Sequence, residues 1–368
     1  MPRKKSETRK VVKQVREHSR EEEPAVESSR LLIPTGSTML NLAVSDQARG
    51  GYGGGKIVNL VGDSNSGKTI EVLSGLMEMS LDDFWENWRF IYDDAESALE
   101  MDVRKVFGPK LADRIVDPWG TPYGDPDFGC SETVEDFKNN VWNTFDDDSP
   151  FVYILDSYDG MTSREEIKRQ QKEAKGEEMN RDFPRQPAIL NEALRKCKTK
   201  LRKTDSVLIV VSQTRDVMNP GTFGAQKRRA GGKGLKFFSS HEMWMAIKGQ
   251  IKRTVRGKKR TIGHDVVIRS HRSKLTGKRR DIEVPIYTDY GVDDIGSMIN
   301  WLMSNKVWTG TKSKVNTKGF MKAQLSVEDL ITKIESDNGW LEELKDEVQD
   351  GWNVIEECLK VDRKKRYE

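Results

Sequence analysis

Eight residues constrain this chain more than any others. Gly62-Asp63-Ser64-Asn65-Ser66-Gly67-Lys68-Thr69 spell G-x-x-x-x-G-K-T directly after the apolar run Ile57-Val58-Asn59-Leu60-Val61. Strand, glycine turn and helix start follow in the order a phosphate cradle requires. The glycines let backbone N–H groups turn toward phosphate oxygens, Lys68 adds a mobile cation, and the Thr69 hydroxyl is placed to hold Mg2+ at a positive helix N-terminus. A glycine-rich turn arising by chance is the alternative, and the flanking strand and helix pattern argues against it. The chain is therefore expected to bind a nucleoside triphosphate.

The 368 residues are 35% hydrophobic and 33% charged, enough apolar material for one large domain or two smaller ones under a polar surface. No run of about 18 apolar residues occurs. Met1-Pro2-Arg3-Lys4-Lys5 leads into charged sequence, so a cytoplasmic protein without a membrane partner is expected, in a bacterial cell or as a phage protein in its host. Cys130, Cys197 and Cys358 lack C-x-x-C spacing, which points to reduced thiols rather than a zinc site or a disulfide framework. A net charge of +3 is too small to diagnose nucleic-acid binding, which has to be argued from where the charge lies.

Residues 1–30 are mostly Lys, Arg, Glu and Ser around Val11, Val12 and Val15, and read as a tail or a segment that orders only against a neighbour. From Leu31, apolar runs at 57–61, 89–92, 151–155 and 207–211 alternate with helical or loop stretches, the pattern of a parallel sheet wrapped by helices. After residue 291 the spacing turns helical, around Ile295, Met298, Ile299 and Leu302 and again over 327–334 and 340–348. The expected organisation is a charged tail over 1–30, an α/β core over 31–290 and a small, mainly helical domain over 291–368.

Three strand ends surround the phosphate loop in this reading. Phe151-Val152-Tyr153-Ile154-Leu155-Asp156-Ser157 ends in an acid, so Asp156 joins Thr69 as a candidate Mg2+ ligand. Arg89-Phe90-Ile91-Tyr92-Asp93-Asp94-Ala95-Glu96 makes Glu96 the candidate base for water attacking a γ-phosphate, with a helix-capping role as the plainer alternative. Val207-Leu208-Ile209-Val210-Val211-Ser212-Gln213 ends in an amide able to sense a γ-phosphate by hydrogen bonding.

Taken in order, these segments resemble the RecA-type recombinases of bacteria and phages, from about residue 31 to about 348. The resemblance rests on Ile33-Pro34-Thr35-Gly36-Ser37 with Leu40-Asn41, on Asp94-Ala95-Glu96-Ser97-Ala98-Leu99-Glu100, on Leu155-Asp156-Ser157, on Ser212-Gln213-Thr214-Arg215, and on Gly231-Gly232-Lys233-Gly234-Leu235-Lys236-Phe237-Phe238. It implies a RecA-like phosphate-loop ATPase core using ATP and Mg2+, with Glu96 activating water and Gln213 coupling the γ-phosphate to a DNA-binding loop. It also implies that Phe237 packs one protomer on the next, and that two basic residues reach a neighbour's ATP. Within Ser270-His271-Arg272-Ser273-Lys274-Leu275, Arg272 and Lys274 are assigned that role. The family often places an aromatic residue after the D-A-E segment to stack on adenine. Met101, Asp102 and Val103 supply none.

Between Gln213 and Gly232 lie Arg215, Phe223, Lys227, Arg228 and Arg229, a glycine-containing loop with one aromatic and several cations. From residue types alone it reads equally as a solvated basic loop or as a single-strand DNA contact; the resemblance favours DNA, with Gly231 and Gly232 closing the loop. Residues 162–187, with Arg164, Lys168, Arg169, Lys172, Lys175, Arg181 and Arg185, lie where the family's first DNA loop sits. Lys252, Arg253 and residues 256–260 look like a basic hairpin around Gly257, either a charged surface turn or a secondary site for duplex. The function implied is an ATP-dependent recombinase that self-assembles as a helical filament on single-stranded DNA and pairs it with homologous duplex. A hexameric translocase or helicase on the same core, or a weakly hydrolysing single-strand scaffold, are the alternatives.

Overall fold

Four continuous apolar runs become the middle of one sheet because each is covered on both faces. The structure, a computed structural model, describes residues 31–96, 99, 101–175, 186–216, 227–229, 232–321 and 323–363, with backbone alone at 216, 227–229, 232 and 233. The described chain falls into two compact units, Leu32–Ser297 and a second from Met298 onward.

In the larger unit a short pair, β1 (Leu32–Ile33) and β2 (Tyr52–Gly53), flanks helix α1 (Thr38–Ser45). The main sheet then takes β3 (Ile57–Gly62), β4 (Arg89–Asp93), β5 (Ile115–Val116), β6 (Phe151–Leu155), β7 (Val207–Asp216), β8 (Lys227–Arg229), β9 (His241–Val255), β10 (Lys258–Ser273), β11 (Arg280–Tyr287) and β12 (Gly291–Val292). Their order is β12-β11-β10-β9-β3-β7-β6-β4-β5, with β8 paired to β7. Every pairing from β9 through β5 is parallel, whereas β9 to β12 run antiparallel to one another. All residues of β3 and β6 are buried, as strands of a sheet covered on both sides must be.

Helix α2 (Lys68–Leu81) leaves the phosphate loop, and its N-cap Gly67 has φ +88°. A Cβ at Gly67 would also lie 2.7 Å from Ile286 Cδ1, so glycine serves both the turn and the close approach of β11. Short helices α3 (Val103–Phe107) and α4 (Pro109–Ala112) follow β4, and α5 (Val134–Asn143) precedes β6. Helix α6 (Arg164–Glu173) comes next, then α7 (Gln186–Thr204), which buries Ile189, Leu190, Ala193, Leu194, Cys197 and Leu201 on one stripe. That stripe shares a core with Phe137, Val141, Tyr153 and Leu208. Each fully buried aliphatic there contributes about 1.5–3 kcal/mol, and truncation of Leu194 to Ala costs about 2–5 kcal/mol. Helix α8 (Gly232–Phe238) leads into β9.

Two expectations change. The segment after Gln213 is not loop throughout: Thr214, Arg215 and Asp216 pair antiparallel with Arg229, Arg228 and Lys227, so a strand stem flanks residues 217–226. The pairing gives backbone N–H and C=O groups partners beyond the parallel sheet's edge. Residues 164–173, expected as part of a loop, form α6. Ser163 and Glu166 make a reciprocal capping box, and the pairs Lys168–Glu165 and Arg169–Glu173 run along the helix. The hairpin around Gly257 is present, with φ +51° at Arg256 and +75° at Gly257, the two left-handed positions of a tight two-residue turn.

The second unit contains a hairpin of β13 (Thr309–Thr311) and β14 (Lys314–Asn316), together with Val327–Glu335 and Asn338–Cys358, which are helices. The caps are Ser326 and Asp337. Trp308 is fully buried beside Phe320, which in turn meets Trp340 edge-on.

Candidate nucleotide-binding site

Parallel pairing brings the carboxyl ends of β3, β7, β6 and β4 to one edge. Gly62 is in register with Gln213, Leu155 with Val210, and Asp93 with Leu155. Ligand sites of open α/β sheets form outside that edge.

The phosphate loop is closed on itself. Lys68 Nζ donates to the carbonyls of Gly62 at 3.0 Å and Asp63 at 2.7 Å. Burial pulls the Lys68 pKa down, opposed by Asp156, Glu96, Asp63 and Asp159. Asn65 holds φ +62° and the Ser66 N–H donates to the Asp63 carbonyl, while Ser64 and Asn65 face solvent. The Thr214 hydroxyl donates to the Asp63 carboxylate.

On the adjoining side, the Thr69 hydroxyl donates to Asp156 Oδ2 at 2.7 Å and the Tyr92 hydroxyl to the same oxygen at 2.6 Å. Asp156 is buried, which raises its pKa against the opposing hydrogen bonds from Tyr92 and Thr69. These donors are oxygens only, the hard set that suits Mg2+, which takes few protein ligands and completes its shell from phosphates and water. No cluster of three or more His, Cys, Asp or Glu residues suited to a metal occurs among the described residues.

Glu96 joins two strand ends. Its carboxylate accepts from Gln213 Nε2 at 2.6 Å and from the Ser157 hydroxyl. A Cβ at Gly160 would meet the Ala95 carbonyl and Glu96 Cγ, each at 2.8 Å, so that glycine admits the acidic segment. Among the described residues Glu96 caps no helix; α3 begins later, with Asp102 as its cap. Asp159 accepts from the Gln213 N–H at 2.7 Å and from Arg215 Nη2 at 3.1 Å, tethering the end of β7.

A cleft of about 550 Å³ lies over these groups. Its lining combines the polar groups of Lys68, Thr69, Glu96, Asp156 and Gln213 with Leu99, Met101, His264, Val266, Ile286 and Thr288.

Arg272 and Lys274 lie elsewhere in the chain. The Lys274 N–H donates to the Ser240 carbonyl and the Ser240 N–H to that of Ile57, which sets Lys274 level with the start of β3, at the amino end of the parallel strands. Arg272 Nη1 donates to the Lys236 carbonyl at 2.6 Å. Burial, then Arg272, Lys198 and Lys56, hold the Lys274 pKa down. Arg272 lines a separate cleft of about 320 Å³ with Lys236, His271, Lys278 and Arg279. Phe237 is 74% exposed. Lys227, Arg228 and Arg229 form β8 and Gly232 starts α8, whereas Phe223 and Gly231, like Arg181 and Arg185 and the basic residues Lys10 and Arg16 near the N-terminus, lie outside the described residues.

Several groups at the site escape a reading of the sequence. Tyr92 reads there only as part of an apolar run. Asp93 is buried and accepts from Ser131 N at 2.7 Å, Ser131 Oγ at 2.6 Å and Tyr153 Oη at 2.7 Å, bracing β4 against β6. Glu71, in the first turn of α2, is 1% exposed, and neither carboxylate oxygen has a hydrogen-bond partner among the described residues. It borders a small cavity of about 10 Å³ with Thr35 and Tyr52, and burial raises its pKa to about 8. An acid among apolar neighbours in a helix is the signal that could have found it.

A glycine loop between β3 and α2, with acids and an amide at the adjoining strand ends, defines the class: an α/β phosphate-loop nucleotide-binding core. The RecA N-terminal domain family matches residues 15–293, and the chain belongs to the RecA family. Proteins named RecA are similar to it. That of Aquifex aeolicus is 27% identical over 282 residues, 76% of this chain and 72% of the relative. Those of Ehrlichia chaffeensis and Fusobacterium nucleatum are 26% identical over 345 residues (89% and 87%) and 24% over 314 (83% and 75%).

Proposed function

We propose that this protein is an ATP-dependent recombinase of the cytoplasm, which assembles as a filament on single-stranded DNA and pairs that strand with homologous duplex. The observation that carries the reading is the hydrogen bond between Gln213 and Glu96. β7 runs from Gln213 into the stem it forms with Lys227, Arg228 and Arg229. A DNA strand whose phosphates are neutralised at the stem thus acts on the residue that holds the catalytic carboxylate.

In this reading the loop residues 62–69 hold the triphosphate, and Thr69 and Asp156 hold Mg2+, which when bound neutralises charge on the β- and γ-phosphates. Lys68 leaves its carbonyl partners for phosphate oxygens. Glu96 takes a proton from water as the water oxygen attacks the γ-phosphorus; the bond to the bridging oxygen breaks and ADP departs. Arg272 and Lys274, remote from their own loop, serve the site of an adjacent copy, and exposed Phe237 belongs to the same interface. Arg215, Phe223, Gly231 and Gly232 complete the DNA-binding segment. Hydrolysis then weakens the interface between copies and releases DNA.

The test is ATP turnover with and without single-stranded DNA, alongside electron microscopy of the assembly. DNA-stimulated turnover with filaments supports the recombinase; rings that turn over ATP independently of DNA contradict it.

A further inference from the structure

The lining of the nucleotide cleft is partly polar and partly apolar, and it contains a ring that no motif announces. Leu99 and Met101 line the cleft together with His264 and Val266 from β10, Ile286 from β11 and Thr288 just beyond that strand. Among the described lining residues His264 is the sole ring. His264 is paired directly with Ile286 across β10 and β11, so the two side chains leave the sheet on the same face. Ile286 in turn abuts the phosphate loop at Gly67. A triphosphate seated on residues 64–69 shares the cleft with Glu96 and Gln213, and the half-buried imidazole lines that same cleft.

We propose that His264 is the base-recognition residue of this site, stacking its ring on the nucleobase. This rests on the nucleotide reading above and deepens it. Residues 101–103 carry no aromatic side chain, so the aromatic plane offered to a base in this cleft is that of His264 on β10. A flat π-face on a base adds affinity that an aliphatic wall does not, and it acts on the base alone, leaving the phosphates untouched.

The experiment is titration calorimetry of the full chain, and of His264→Ala and His264→Phe, with ATP and with inorganic tripolyphosphate, both with Mg2+. His264→Ala is expected to weaken ATP binding about tenfold, within the range measured for removing one base-stacking ring. Tripolyphosphate affinity stays as it was, and His264→Phe restores ATP binding. ATP affinity unchanged in His264→Ala, or equal losses for ATP and tripolyphosphate, overturns the assignment while leaving nucleotide binding intact. A wild-type protein that binds neither ligand overturns the nucleotide reading, and the inference with it.

Discussion

Gln213 donates its side-chain amide to the Glu96 carboxylate at 2.6 Å, while its backbone N–H is held by Asp159 at 2.7 Å. One residue thus ties the candidate base to the strand that continues into the basic stem. Gln213→Ala should leave ATP affinity within about twofold and lower the DNA-stimulated rate about tenfold or more, since it removes coupling rather than binding. Turnover measured against single-stranded DNA concentration checks this; an unchanged response would break the proposed link.

Arg272 and Lys274 lie near the amino end of the parallel strands, whereas the phosphate loop follows the carboxyl end of β3. If they serve a neighbouring site, Arg272→Ala with Lys274→Ala should leave ATP binding by dilute protein intact and lower DNA-stimulated hydrolysis about 100-fold or more. Mixing this variant one to one with Lys68→Ala should recover activity, because roughly a quarter of randomly formed head-to-tail interfaces then join an intact loop to intact cations. No recovery in the mixture would argue that the cations act within their own chain or only in folding.

Glu71 sets a stability term with a definite sign. Folded, it keeps its proton to about pH 8, against an ordinary value of 4.5, because of burial first and then Asp294. The native state holds the extra proton between those values. Its stabilising share is complete below the unfolded value and is lost as pH rises toward 8, by up to about 1.4 kcal/mol per pH unit. Glu71→Gln keeps a neutral side chain of the same shape and should flatten that part of the pH profile. Urea unfolding of both proteins at several pH values between 5 and 8 is the check, and parallel profiles would contradict it.

Lys227, Arg228 and Arg229 stand on β8, paired with the extension of β7. Replacing all three with Ala should flatten the plot of log affinity for single-stranded DNA against log salt, by about 0.7 for each phosphate that the protein no longer neutralises. A slope that does not change would place the DNA-binding surface elsewhere.

The sheet's central strands were legible because both faces are covered: 57–61, 89–92, 151–155 and 207–211 all fall within observed strands. Their order was not, since an apolar run carries no record of its neighbour. Local spacing places the phosphate loop, Asp156 and Glu96 at strand ends, and all three line one cleft. Tyr92 could not be linked to Asp156, nor His264 to the cleft, because each meeting joins segments far apart in the chain. α6 illustrates the opposite error. Residues 164–173 bury nothing, so hydrophobic periodicity was silent, yet Ser163 and Glu166 carried the capping pattern in plain view.

Steady-state turnover of Glu96→Gln with single-stranded DNA is the measurement that decides whether Glu96 carries DNA-dependent ATP hydrolysis. With Glu96 as the base, the variant should bind ATP within about twofold of wild type, turn it over about 100-fold or more slowly, and form filaments that persist on DNA. A variant that hydrolyses ATP at the wild-type rate with DNA present would contradict that role.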